Sequence, residues 1–127
     1  MMYLPDTNIF IRALYGSHPE AEFLQKAIQD QKVAVSVVTI AEFYPKAEKD
    51  ERIIFNQLIE ILSVIPVDTQ VAKIAGDYRG KYLRKSKKVF LLDCLLAAQA
   101  KVHQLILVTN NRQDFPMKDI KVILPRS

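Results

Sequence analysis

The sequence is poor in the residues on which several common kinds of protein site depend. It has one cysteine, three glycines and no tryptophan among 127 residues. A single cysteine excludes an internal disulfide and a cysteine-rich zinc site, and it favours a reducing compartment. Three glycines provide no glycine-rich phosphate loop, which disfavours P-loop and dinucleotide-binding folds. No apolar run has the length of a membrane span and no signal peptide is visible, so we expect a cytoplasmic protein that does not enter a membrane.

What the chain does have is the composition of a folded globular protein. Half of its residues are apolar and a quarter are charged. A chain of this length can bury a single hydrophobic core. We therefore expect one domain that spans residues 1–127.

Short apolar segments of strand character alternate with amphipathic helical segments. Strands are predicted at 2–4, 33–37, 64–67, 105–108 and 122–124, and helices at 9–14, 19–29, from 39, at 50–62, from 69 and at 92–104. In the fourth helix, Ile54, Leu58 and Ile61 share one face. Pro66 favours an edge position for the third strand. The alternation predicts right-handed crossovers and an α/β fold, in which a parallel sheet is covered on both faces.

Four acidic residues follow or closely trail these predicted strands, although the formal net charge is +4. They are Asp6, Glu42, Asp93 and Asp114. Because ligands of open parallel sheets bind beyond the carboxyl ends of the strands, we expect the four side chains to meet there. Clustered carboxylates raise one another's pKa unless protons or cations compensate their charge. The pattern therefore predicts a site for a hard divalent cation, which takes oxygen ligands.

Each acid also has a purely structural interpretation. Asp6 can cap a helix, and Asp93 can lie in a first helical turn for its interaction with the macrodipole. Glu42 can be a solvated helix residue, although its neighbours are apolar, and Asp114 can close a turn. The hypothesis of a shared site depends on the set of four.

The positive charge is concentrated in one stretch that contains no acid. Its members are Arg79, Lys81, Arg84, Lys85, Lys87 and Lys88. Such a run suits a polyanion such as RNA, because each neutralised phosphate releases counterions. The alternative is an ordinary solvated helix end. Tyr78 and Tyr82 interleave with this run and could stack on bases, but their helical spacing with Val71 and Ala75 favours burial.

Four stretches of the sequence resemble the signature stretches of the PIN domain, in particular of VapC-type toxin ribonucleases. They are LPDTNIFI at 4–11, TIAEF at 39–43, LDCLLAAQA at 92–100 and LVTNNRQDF at 107–115. They stand in the family's order over nearly the whole chain. The resemblance implies a three-layer α/β/α sandwich whose parallel sheet has about five strands, with the first strand central.

The same resemblance implies a metal-dependent endoribonuclease. The family's acidic positions fall on Asp6, Glu42, Asp93 and Asp114, and its polar helpers on Thr7, Asn8, Thr109 and Asn111. Asp6 and Asp93 would be the most direct ligands of Mg²⁺ or Mn²⁺, Glu42 a ligand or base, and Asp114 an outer or second-metal group. A metal-activated water would attack the phosphorus and leave a 5′-phosphate and a 3′-hydroxyl. The basic run would hold RNA beside the acids.

The family resemblance also implies partners. A small VapB-type antitoxin would inhibit the enzyme by placing its tail in the acidic pocket, and a homodimer is expected. Ile53, Phe55 and Ile59 are candidates for the dimer surface, with burial in the core as the alternative. Two other functions stay open: an RNA-processing nuclease without an antitoxin, and an inactive interaction module.

Some positions depart from the family's pattern. Pro5 stands before the first acid, where an early end of the strand is expected. Cys94 stands where the family commonly has a small residue, usually alanine, and it is expected to be buried. Gln99 stands where a threonine is frequent. Ser86, Lys87 and Lys88 stand where the family has a glycine.

Overall fold

Five short parallel strands form the centre of the fold. The computed structural model describes residues 1–85 and 88–126. The strands are β1 Tyr3–Pro5, β2 Ala34–Ser36, β3 Ser63–Ile65, β4 Ile106–Val108 and β5 Lys121–Ile123. β2 pairs with β3, and β4 lies between β1 and β5. A parallel bridge between Tyr3 and Val33 joins these two groups, so the spatial order is β3, β2, β1, β4, β5. The predicted parallel sheet with a central first strand is confirmed, and β3 lies at an edge.

In the described part of the chain, six helices connect the strands. They are α1 Thr7–Leu14, α2 Glu20–Gln29, α3 Val37–Phe43, α4 Lys49–Ile61, α5 Thr69–Arg84 and α6 Leu91–His103, with 3₁₀ turns at Tyr44–Lys46 and Arg112–Asp114. Asp6, Ser36 and Asp68 cap α1, α3 and α5 by accepting hydrogen bonds from backbone N–H groups two or three residues ahead. These caps satisfy donors that the first helical turn leaves free. No helix in the described part of the chain combines the length and hydropathy that a membrane crossing requires.

Successive residues of the strands belong to two separate hydrophobic clusters, one on each face of the sheet. Leu4 and Leu107 pack on one face of the sheet against α5 and α6. Val35 and Val108 pack on the opposite face with α1, α2 and α4. Because successive strand side chains point to opposite faces, a sheet buried on both sides needs apolar residues at consecutive positions. The predicted three-layer α/β/α arrangement is confirmed.

The apolar and aromatic residues that share one face of α5 are buried, as their helical spacing predicts. Val71, Ala75, Tyr78 and Tyr82 are all buried. The two tyrosines therefore belong to the core, and stacking of their rings on bases is excluded by their burial. Cys94 is fully buried, as predicted for a small hydrophobic residue.

The apolar face that periodicity predicts for α4 is not the face that the core buries. Ile54 is 46% exposed and Ile61 68% exposed, whereas Phe55 is fully buried. The Phe55 ring stacks on Phe43 at a centroid distance of 4.0 Å and meets Phe10 edge-on at 5.7 Å. The aromatic contacts therefore decide which face of α4 turns inward.

Other corrections concern the dimer surface and segment ends. Phe55 belongs to the core and cannot contribute to a dimer surface, Ile59 is partly buried, and Ile53 is 48% exposed. β1 continues through Pro5 and does not end early. Val37 begins α3, because Ser36 provides the helix cap at the end of β2.

Candidate active site

All four predicted acids line one pocket at the carboxyl ends of the central strands. Asp6 directly follows β1, Glu42 lies in the last turn of α3, Asp93 in the first turn of α6, and Asp114 in the 3₁₀ turn beyond β4. The pocket has a volume of about 70 Å³. Its lining consists of Asp6, Thr7, Asn8, Glu42, Lys46, Asp93, Leu96, Asn111 and Asp114. Residues from four distant stretches of the chain are thus brought together.

Asp6 serves the fold and the pocket at once. Its Oδ1 atom caps α1 by accepting a hydrogen bond from the backbone N–H of Ile9 at 3.2 Å. Burial raises the pKa of this carboxyl, and the charge of Glu42 adds to the rise. Hydrogen bonds from Thr109 and from backbone N–H groups oppose that rise in pKa. The capping interpretation and the site interpretation of Asp6 are therefore compatible.

Glu42 is held by the residue that follows Asp6. The Thr7 hydroxyl donates a hydrogen bond to Glu42 Oε1 at 2.6 Å, and the Thr7 side chain is buried. This contact joins the start of α1 to the end of α3. It fixes one carboxylate oxygen of Glu42 at the pocket wall.

Asp93 shows most clearly that the four carboxylates interact. Burial raises its pKa to about 6, and the charges of Asp114, Glu42 and Asp6 add to the effect in that order. A carboxyl with such a pKa is ionised at neutral pH at a cost in free energy. The pocket therefore favours the arrival of positive charge.

The loop after β4 orients Asp6 through Thr109. Thr109 is fully buried, and its side chain hydrogen bonds to Asp6. The Thr109 Oγ1 atom also accepts a hydrogen bond from the backbone N–H of Asn111 at 3.0 Å. Of the four predicted polar helpers, Thr7, Asn8 and Asn111 line the pocket, whereas Thr109 orients Asp6 from outside it.

The pocket also contains a cationic residue that the sequence interpretation missed. Lys46, at the end of the 3₁₀ turn Tyr44–Lys46, is among the lining residues. The available signal was its spacing of four from Glu42, which places two residues on the same side of a continuing helix.

The described residues of the predicted basic run do not line the acidic pocket. Arg79, Lys81, Arg84 and Lys85 occupy the last turns of α5 and its C-cap, and Lys88 precedes α6. Lys87 lies outside the described residues. Lys81 lines a different pocket together with Lys101 and Lys118. The role of the run in RNA binding stays a prediction.

The oxygen donors that line the pocket are of the kind that a hard cation binds. Within residues 1–85 and 88–126, no three acidic, histidine or cysteine side chains already form a group able to hold one ion. Oxygens of Asp6 and Glu42 instead accept hydrogen bonds from the protein itself. The donors are oxygens, as Mg²⁺ and Mn²⁺ prefer. The volume of about 70 Å³ exceeds the roughly 10–15 Å³ that one water needs, so ion and water both find space.

Comparisons with known proteins agree with this geometry. The family model of the PIN domain matches residues 3–121. Ribonuclease VapC10 of Mycobacterium tuberculosis is 34% identical over 116 residues, which are 91% of this chain and 87% of that protein. The tRNA(fMet)-specific endonuclease VapC of Shigella flexneri is 26% identical over 120 residues, covering 91% and 90% of the two chains.

Solved structures share the whole fold. A chain in the crystal structure of DNA-bound VapBC from Salmonella typhimurium superposes with a TM-score of 0.84 at 26% identity, and the match covers 99% of both chains. FitAcB from Neisseria gonorrhoeae gives a TM-score of 0.77 at 25% identity over 98% of both chains. Family match, relatives and fold all agree. The chain therefore belongs to the PIN domain family, and its relatives within that family include VapC ribonucleases.

Proposed function

We propose that the four-carboxylate pocket is the active site of a VapC-type endoribonuclease that uses a divalent metal ion. The observation that carries this proposal is the convergence of Asp6, Glu42, Asp93 and Asp114 on one pocket. The relatives named as ribonucleases and endonucleases supply the reaction class. Their names support RNA as the substrate, and the choice between Mg²⁺ and Mn²⁺ is part of the proposal.

Within this proposal the chain's own residues have distinct tasks. Asp6 and Asp93 would hold the ion. In each of them, burial and neighbouring negative charge raise the pKa of the carboxyl group, so a cation would be favoured there. Glu42, fixed by Thr7, would serve as a ligand or accept a proton from the attacking water. Asp114 would act farther out, and Asn8 and Asn111 would offer amide groups to the phosphate. The bound ion would supply a water of lowered pKa and neutralise charge on the phosphoryl oxygens.

The proposed products and partners follow from the same assignment. Attack of water on the phosphorus would leave a 5′-phosphate and a 3′-hydroxyl. The solved relative from Salmonella typhimurium is a VapBC structure, which supports a VapB-type antitoxin as a partner of this chain. The homodimer stays a prediction, and so does the cytoplasm as the place of action.

The test is cleavage of a transfer RNA pool and of a messenger RNA panel by the wild type, Asp6→Asn and Asp93→Asn. Asp30→Asn is a matched control, because Asp30 is exposed at the C-cap of α2 and does not line the pocket. Each protein is assayed with Mg²⁺, with Mn²⁺ and with a chelator. The ends of the products are identified by labelling with and without prior phosphatase treatment.

We expect the wild type and Asp30→Asn to cleave RNA only when Mg²⁺ or Mn²⁺ is present. Loss of one group that stabilises the transition state commonly lowers kcat by about 10²–10³, so both pocket variants should fall by at least that factor. Cleavage that survives chelation or Asp6→Asn would contradict the mechanism. Products with a cyclic phosphate would contradict attack by water.

A further inference from the structure

One positive charge accompanies the four negative ones in the pocket lining. Among the lining residues that the structure describes, Lys46 alone is cationic. A lysine ammonium has three donors and binds phosphate oxygens as a point charge. We propose that Lys46 positions the scissile phosphate at the mouth of the acidic pocket, an assignment that rests on the proposed nuclease function.

The turn that carries Lys46 is fixed to α4. Arg52 donates to the Tyr44 carbonyl oxygen from Nε at 3.1 Å and from Nη2 at 2.6 Å. Its guanidinium also lies over the Tyr44 ring, 5.1 Å from the centroid. The Tyr44 hydroxyl donates to Asn56 of the same helix. Pro45, with its restricted φ, completes a rigid support for the backbone of Lys46.

The ammonium of Lys46 is not paired with the acids of the pocket. Within the described ranges it forms no ion pair with Asp6, Glu42, Asp93 or Asp114. The residue is exposed, and it follows Glu42 by one helical turn. Its charge is therefore available to a group that approaches from solvent.

Such a placement has two electrostatic consequences of opposite sign. The ammonium attracts an RNA phosphate that the carboxylates alone would repel. It also repels a divalent cation that approaches the same carboxylates. Removing the charge should therefore weaken the use of RNA and strengthen the binding of metal, a combination that neither unfolding nor a general loss of packing produces.

The experiment compares the wild type with Lys46→Gln, Lys46→Arg and the matched control Lys49→Gln. Lys49 is three residues away, exposed at the start of α4 and outside the pocket lining. Binding of Mn²⁺ is titrated without RNA at low ionic strength, with free Mn²⁺ followed by electron paramagnetic resonance. KM and kcat are then measured on an RNA that the wild type cleaves.

For Lys46→Gln we expect a KM for RNA raised roughly threefold to tenfold and a Kd for Mn²⁺ lowered by a similar factor, as for one charge acting near the protein surface. kcat should change less than KM. Lys46→Arg keeps the positive charge and should therefore keep the KM for RNA and the Kd for Mn²⁺ close to the wild-type values. Lys49→Gln should match the wild type in both.

The outcomes separate this role from the nuclease proposal. If the wild type cleaves RNA and Asp93→Asn does not, but Lys46→Gln equals Lys49→Gln in either measurement, the role of Lys46 is rejected and the nuclease function stands. If the wild type cleaves no RNA, the nuclease function is rejected and the role of Lys46 with it. A higher Kd for Mn²⁺ in Lys46→Gln would also overturn the assignment, because it would make Lys46 a support of the acids.

Discussion

The Glu20 carboxylate accepts a hydrogen bond from the Asn110 side chain at 2.8 Å, although 90 residues separate them in the chain. The same oxygen, Oε2, accepts from Arg12 Nε at 3.0 Å. Glu20 begins α2 and is 2% exposed, and its Oε1 atom is buried with no hydrogen-bond partner within the described residues. Asn110 stands between Thr109 and Asn111, so this contact anchors the loop that supports Asp6.

Replacement of Glu20 tests this anchor. Burial alone would raise the pKa of Glu20, but hydrogen bonds from its backbone N–H, Asn110 and Arg12 lower it overall. A lowered pKa in the folded state contributes stability above the ordinary value of 4.5, and that contribution is lost as the pH falls through the folded-state pKa. We expect Glu20→Gln to lower the free energy of unfolding by about 1–3 kcal/mol at pH 7, as for charge-assisted hydrogen bonds.

The measurement is urea unfolding at pH 7 and at several values below 4.5. The difference between the wild type and Glu20→Gln should shrink as the pH falls. Glu60→Gln, at an exposed position of α4, is the control and should stay within about 0.5 kcal/mol of the wild type. A constant difference across the pH range would show that packing, and not charge, explains the effect.

Gln99 is a second buried polar anchor. Its Oε1 accepts from the Ser36 hydroxyl at 2.6 Å, and its Nε2 donates to the carbonyl oxygens of Ile65 at 3.0 Å and Pro66 at 2.9 Å. The side chain is fully buried. It therefore joins α6 to the ends of β2 and β3.

We predict that Gln99→Leu destabilises the protein by roughly 2–4 kcal/mol, because it leaves the buried Ser36 hydroxyl and two carbonyl oxygens in part-buried hydrogen bonds with fewer partners. Thermal unfolding and urea unfolding measure the loss. Gln57→Leu, at an exposed position of α4, adds the same apolar volume at the surface and should have little effect. Equal stability of Gln99→Leu and the wild type would mean that other donors replace the amide.

The parallel sheet and the edge that carries the pocket could be anticipated because their signals are local, whereas the central position of β1 was implied by the family resemblance. Apolar segments such as 33–35 and 105–108 are buried throughout, which gives continuous apolar runs without alternation. In a parallel sheet all carboxyl ends point the same way, so an acid placed after each strand reaches a common edge. Asp6 and Asp114 needed no further information to be placed there.

The remaining features depend on contacts between distant segments. The orientation of α4 follows from the contacts of Phe55 with Phe10 and Phe43. Periodicity alone identified the face that carries Ile54 and Ile61 as the apolar face of this helix. Lys46 enters the pocket because α3 ends at Phe43 and a 3₁₀ turn continues it. The Glu20–Asn110 contact joins residues that no local pattern relates.

The C-cap of α6 allows a stabilising substitution. Gln104 has a φ of 55° and a ψ of 46°, the left-handed conformation that glycine adopts without strain. We predict that Gln104→Gly raises the free energy of unfolding by roughly 0.5–1 kcal/mol, and thermal unfolding measures the gain. Gln29→Gly, at the last residue of α2 in a right-handed conformation, is the control and should lower stability. A loss of stability in Gln104→Gly would show that the glutamine side chain contributes contacts worth more than the strain.

Asp93→Asn should separate the stability of the metal-free protein from its function. The folded-state pKa of Asp93 is raised to about 6 from an ordinary value of 3.8, so the ionised carboxylate destabilises the fold as the pH rises through that interval. With a chelator at pH 7.5, we expect Asp93→Asn to be more stable than the wild type by roughly 1–2 kcal/mol, an amount reduced for partial exposure to solvent. At pH 4 the two proteins should unfold alike. Addition of Mn²⁺ should stabilise the wild type more than the variant, because binding to the folded state shifts the unfolding equilibrium. A variant that is less stable than the wild type at pH 7.5 without metal would contradict the repulsion among the four carboxylates.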